Sequence, residues 1–210
     1  MDSDTIIERT GDETRQKLLA SALSHFASRG FKGASIAQIA GDIGLTKQAL
    51  LYYFKRKRDL HGEVMRLIAG RMLAAIEASA DPGYSPTQQF EAMVMALYDN
   101  AIKHPDDARA LMQEMLENER RDAPPDEWFL KSSLDRYVNA LGEIEGLAEL
   151  PFPRKFALTY QIIGGIQFFA ASREVLERFY TKAGYEEVAA VYPAELQAYV
   201  RRMIASFAAA

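Results

Sequence analysis

Apolar residues recur every three or four positions along nearly all of this chain, and no alternating β-branched run interrupts them. A period near 3.6 puts an apolar stripe on one side of a helix, whereas a strand needs a period of two. The pattern therefore predicts an all-α fold. Proline-bearing segments divide it: Asp81-Pro82-Gly83-Tyr84-Ser85-Pro86, His104-Pro105, Ala123-Pro124-Pro125, Leu150-Pro151-Phe152-Pro153 and Tyr192-Pro193. Proline disfavours helix in the residue before it. About nine helices are expected, near 12–29, 35–43, 46–53, 56–79, 87–103, 105–121, 126–148, 153–180 and 193–208.

The first four helices are the most legible. Leu18, Leu19, Ala22, Leu23, Phe26 and Ala27 form one face of the first. Gly30 is placed to be its left-handed C′ residue, with Phe31 folding back. Ser35 is an expected N-cap, and Ile36, Ile39, Ala40 and Ile43 are the buried stripe of a short second helix. Gly44 supplies the positive φ of a tight turn, Leu45 points inward, and Thr46 caps a third short helix. Two short helices joined by a glycine-containing turn are the helix-turn-helix pattern.

An ordinary helical corner would share that spacing, so the outward face of the third helix is what distinguishes it. Ala49, Leu50 and Tyr53 are expected to face inward, and Lys47, Gln48, Leu51 and Tyr52 outward, with Lys55, Arg56, Lys57 and Arg58 immediately following. Lysine can reach guanine O6 and N7, glutamine can pair with adenine N6 and N7, and an apolar side chain such as Leu51 can pack on a thymine methyl. Thr46 and Ser35 stand at helix starts, where a hydroxyl and backbone N–H groups can hold a phosphate. Tyr52 and Lys57 are further candidates for phosphate contacts.

Net charge at first argues against a DNA partner, since the chain carries −4. Residues 1–60, however, sum to +3 and the remainder to −7, and between Arg29 and Arg58 seven bases face a single acid, Asp42. A basic module fused to an acidic body is the expected electrostatic footprint of a nucleic-acid reader with a second domain.

The segment Thr14–Leu60 resembles the DNA-binding domain of TetR-type repressors. The likeness rests on the ordered series Leu19, Ala22, Phe26, Gly30, Phe31, Ser35, Ile36, Ile39, Ala40, Gly44, Leu45, Thr46, Lys47, Leu50, Tyr52, Tyr53, Phe54, Lys57 and Leu60. Leu51 stands where a Tyr is common, and Ala34 where a Thr is frequent. The resemblance implies DNA contacts from Ser35, Thr46, Lys47, Gln48, Tyr52, Tyr53 and Lys57. It also implies a helix-turn-helix domain over 1–56, followed by a larger ligand-binding and dimerisation domain over 57–210.

In that second part, Tyr160, Ile162, Ile163, Ile166, Phe168 and Phe169 cover nearly the whole circumference of one helix, which must then be buried on more than one side. Gly164-Gly165 would permit close helix approach. Tyr160, Ile163, Gly164, Phe168, Tyr199 and Met203 are the expected homodimer interface, a four-helix bundle across a two-fold axis. Met112, Trp128, Tyr137, Tyr160 and Gln167 are expected to line a mostly apolar pocket for a small hydrophobic effector. The whole is read as a ligand-responsive repressor on a palindromic, inverted-repeat operator.

An enzyme has little support. The three histidines, His25, His61 and His104, lack metal spacing, and neither G-x-S-x-G, Walker A nor G-x-G-x-x-G occurs. No catalytic residue, metal or cofactor is expected. There is no cysteine, no N-terminal apolar leader pattern and no apolar run of about 18 residues, so a cytoplasmic protein without a membrane partner is expected.

Overall fold

A computed structural model describes residues 3–117 and 129–208. Trp128 lies outside the described residues. Nine helices and no strand are found among those described: α1 (Ser3–Gly33), α2 (Ile36–Asp42), α3 (Lys47–Tyr53), α4 (Lys57–Ala78), α5 (Pro86–Lys103), α6 (Pro105–Glu117), α7 (Phe129–Gly142), α8 (Phe152–Ala171) and α9 (Arg173–Ala208). They fall into two compact units. One holds residues 3–68 and 109–117, the other 69–108 and 129–208.

In the first unit the expected apolar face of α1 is the core. Leu18, Leu19, Ala22, Leu23, Phe26 and Ala27 are buried, together with Ile39 and Ala40 of α2, Leu50 of α3, and Leu60, Val64 and Ile68 of α4. Gly30 breaks the α1 geometry at φ 67° and ψ 179°, an extended glycine conformation and not the left-handed helical one expected, so the long helix ends at Arg29 and a short turn over Phe31–Gly33 follows. A partly exposed ion pair, Arg15 to Glu63 at 2.6 Å, ties α1 to α4.

The second unit packs α5 against α7, α8 and α9. Helix α5 starts on a full capping box: Ser85 accepts from the Gln88 backbone while the Gln88 side chain accepts from the Ser85 N–H. Its inner stripe is Phe90, Met93, Val94, Leu97, Tyr98 and Ala101. Tyr137 of α7 is wholly buried and donates to the Met93 carbonyl at 3.1 Å, and burial pushes its phenol pKa well up. Helix α8 has two faces. Thr159, Ile162, Ile166, Phe169 and Ala170 are buried, while Tyr160, Gly164 and Phe168 lie on an exposed stripe.

Four boundaries differ from the expected ones. Helix α1 begins at Ser3, not near Asp12. Helix α7 stops at Gly142, and 143–150 is a run of turns in which Gly146 takes φ 82°. The expected 153–180 helix is divided at Ser172, and the chain then continues through a kink at Thr181 (φ 65°) to Ala208. Pro193 was expected to begin a helix but lies inside α9. The residue before it explains why. Tyr192 stacks on Phe169 at 3.8 Å and on Tyr98 at 5.7 Å, and donates to the Gly165 carbonyl at 3.2 Å. Packing at one aromatic side chain outweighs the local preference of its neighbour.

The buried Tyr137 bond gives a direct stability test. Tyr137→Phe removes this bond while the Met93 carbonyl keeps its intrahelical partner, at a cost of about 0.5–1.5 kcal/mol. Urea unfolding should show a lower midpoint with an unchanged slope.

Candidate nucleic-acid interface

The exposed end of the first unit is built by a turn that only one backbone geometry allows. Gly44 sits at φ 75°, and its N–H donates to the Gly41 carbonyl at 3.0 Å. The Leu45 N–H then reaches back to the Ala40 carbonyl at 2.9 Å. This closes α2 and redirects the chain, so that Leu50 of α3 is buried beside Ile39 and Ala40. Thr46 is the N-cap of α3, its hydroxyl accepting from the Ala49 N–H at 3.2 Å. Ser35 has N-cap backbone geometry, but its hydroxyl makes no cap bond to α2.

With α3 held from below, its other side is open. Lys47 and Gln48 are exposed, Leu51 is half-buried, and Tyr52 is 86% exposed. Tyr53 is half-buried and packs edge-to-face with Tyr52, centroids 5.6 Å apart. Thr46, Lys47, Gln48, Leu51 and Tyr52 therefore share one end of the unit with Tyr53 behind them. Lys55 and Arg58 are exposed as well, whereas Arg56 is held by both oxygens of Asp59 at 2.8 and 3.1 Å.

Two features of this end were not read from the sequence. Asp42, the lone acid of the basic stretch, is a clamp between α2 and α1. It accepts from Ser21 at 3.0 Å and meets His25 Nε2 at 2.8 Å, and those two bonds hold its carboxyl below the ordinary range. A histidine on the core side of α1 and one acid among bases were the available signals, but their pairing depends on how α2 crosses α1. The other feature is Lys57. Its ammonium lies 4.6 Å from the centre of the Phe31 ring and donates to the Lys32 carbonyl at 3.4 Å.

The other expected site residues are distributed differently. Met112 is half-buried and belongs to the first unit, whereas Tyr137, Tyr160 and Gln167 belong to the second. Tyr160 is 42% exposed, on the same α8 stripe as Phe168. Ile163 and Met203 are half-buried, and Gly164 and Tyr199 exposed. Among the described residues no three His, Cys, Asp or Glu side chains form a group that could hold a metal ion, and no helix is long and apolar enough to cross a membrane.

Residues 18–64 match the family described as bacterial regulatory proteins, tetR family. Over 116 residues the chain is 29% identical to the HTH-type transcriptional regulator RutR of Escherichia coli K12, covering 52% of this chain and 54% of that one. The chain thus spans about half the length of the curated relatives it matches. A TetR-like transcriptional regulator from Rhodococcus sp. RHA1 superposes with a TM-score of 0.66 at 20% identity, covering 90% of this chain and 94% of the other. The ketosteroid transcriptional regulator KstR2 of Mycobacterium tuberculosis superposes at 0.63 and 16% identity, covering 88% and 93%. At these identities the structural likeness concerns the fold.

The two positive-φ glycines can be compared directly. A Cβ on Gly44 would meet nothing within 4 Å, so Gly44→Ala carries only the left-handed strain of about 1–2 kcal/mol. A Cβ on Gly30 would lie 2.5 Å from Glu117 Oε1. Gly30→Ala should therefore destabilise more than Gly44→Ala in thermal unfolding, because Glu117 must also move.

Proposed function

Because residues 18–64 match the tetR family of bacterial regulatory proteins, we propose that the chain is a regulator of that family, a ligand-responsive transcriptional repressor acting as a homodimer on an inverted-repeat operator. The observation that carries this reading is the open face of α3. A glycine turn and a buried Leu50 hold it outward, and it presents Lys47, Gln48 and Tyr52 beside exposed Lys55 and Arg58. In this reading Lys47 and Gln48 meet base edges in the major groove and Leu51 a thymine methyl, while Ser35, Thr46, Tyr52, Tyr53 and Lys57 serve the phosphates. Free of its cap bond, the Ser35 hydroxyl suits that role.

The dimer is supported by the second face of α8. Phe168 is 62% exposed on one chain, and Gly164 on the same stripe has open space where its Cβ would be. A mid-helix glycine costs about 1 kcal/mol, and close approach of another helix is a physical reason to keep one. Tyr199 and Met203 of α9, with Tyr160 and Ile163, complete the surface we assign to the partner copy. Two recognition helices spaced about 34 Å apart would then match one turn of the duplex.

An effector, proposed to be small and largely apolar, would bind in the second unit. The buried hydroxyls of Ser133 and Thr159 have no hydrogen-bond partner among the described residues and offer a few polar contacts in an apolar setting. KstR2, similar in fold, is named a ketosteroid regulator, which is in keeping with an apolar effector. Helix α4 has residues 57–68 in one unit and 69–78 in the other. It is the proposed lever by which effector binding shifts the population away from the operator-binding spacing.

Selection of bound fragments from a random duplex library should return an inverted repeat. Affinity should fall steeply between about 50 and 200 mM salt, and flat salt dependence would count against the repressor reading. Lys57→Ala should weaken all sequences alike, and Gln48→Ala should relax preference at one base pair. For the dimer, Phe168→Asp should halve the mass seen by sedimentation, and an unchanged mass would remove Phe168 from the interface.

A further inference from the structure

Phe31 is the point where three helices of the first unit meet. Its N–H donates to Glu117 Oε2 of α6 at 2.5 Å. Its ring has the Lys57 ammonium over it at 4.6 Å, the buried His61 ring edge-on at 5.1 Å and Phe26 stacked at 6.2 Å. Lys57 and His61 are four residues apart and so share one face of α4, and Glu114 and Glu117 share one face of α6 by the same spacing rule. The second pair of faces also touches, His61 Nε2 lying 3.5 Å from Glu114 Oε2. Glu117 docks close against Gly30, where a Cβ would stand 2.5 Å from its carboxylate.

A lysine has four rotatable bonds, and fixing its ammonium ordinarily costs side-chain entropy. Here that ordering is done within the protein. The aromatic face attracts the ammonium, and the Lys32 carbonyl accepts from it at 3.4 Å. From this geometry we infer that Phe31 is a positioning residue for the phosphate contact of Lys57, and that Glu117 holds Phe31 in that position. The inference rests on the reading that Lys57 meets a DNA phosphate.

The test is the salt dependence of duplex binding by the full chain. The slope of log affinity against log salt reports the number of phosphates neutralised, about 0.9 for each. A variant that merely folds less well lowers affinity without that change in slope, and circular dichroism of each variant records the folded fraction. Lys57→Ala should lower the slope by about one contact. Phe31→Leu should lower it in the same direction, Phe31→Tyr should restore it, and Phe31→Leu added to Lys57→Ala should lower it no further, since both act on one contact. Glu117→Ala should follow Phe31→Leu, and Glu117→Gln, which keeps an acceptor oxygen, should follow the unsubstituted chain. If Lys57→Ala leaves the slope unchanged, the phosphate reading of Lys57 fails. If Lys57→Ala lowers it and Phe31→Leu does not, or their effects add in full, the positioning role is overturned. A Glu117→Ala slope equal to that of the unsubstituted chain would overturn the part assigned to Glu117.

Discussion

Burial of one stripe of α1 is the constraint on which the helix-turn-helix unit depends. Helices α2 and α3 have seven residues each. Isolated helices below about 12–15 residues are marginal in water, so neither exists by its own propensity. They are held because Ile39, Ala40 and Leu50 share a core with Leu18, Leu19, Ala22, Leu23 and Phe26. Each large side chain fully buried there contributes roughly 1.5–3 kcal/mol. The polar clamp of Ser21, His25 and Asp42 sets where α2 crosses α1, and through the Gly44 turn it sets the direction of α3. The outward residues of α3 can vary without loss of fold, because none of them is needed below.

Electrostatics follow the same division of labour. An acidic chain presents a basic end because its acids near that end are engaged. Asp42 is bonded to Ser21 and His25, and Asp59 takes both arms of Arg56. Lys47 and Lys55 remain outward. The carboxylate of Glu117 accepts from the Phe31 backbone N–H.

In the second unit, aromatic contacts play the organising part that α1 plays in the first. Tyr192 joins α9 to α8 and α5 through Gly165, Phe169 and Tyr98, and Tyr137 joins α7 to α5 through the Met93 carbonyl. These contacts use a buried ring, Tyr137, and a half-buried one, Tyr192, whose hydroxyls find backbone acceptors, an arrangement that satisfies polar atoms without a polar core. The aromatic residues left over, Phe168 and Tyr160 among them, lie on the outer stripe of α8.

Much of this was legible without coordinates. Spacing of Leu18 through Ala27, of Ile39 and Ala40, and of Leu50 carried the all-α class, the helix-turn-helix and the identity of the outward α3 residues, because helical period and capping chemistry are local properties. Gly44 was legible for the same reason, and so was the need for glycine at position 30, though Gly30 takes an extended ψ of 179° and not the expected left-handed helical one. What tertiary structure decided involves residues far apart in the chain. Pro193 was read as a boundary because proline is a local signal, yet Tyr192 is held by Phe169 and Gly165 and the helix runs on. The apolar circumference of α8 led to the expectation of two buried sides, whereas in the single chain one side is buried and the other leaves Tyr160, Gly164 and Phe168 exposed. Lys57 was read as a cation at a helix start, and only the packing of α1, α4 and α6 brings it onto the Phe31 ring with Glu117 behind. Local sequence sets which residues face out, and long-range packing, summed over contacts that no short window contains, sets what holds them there.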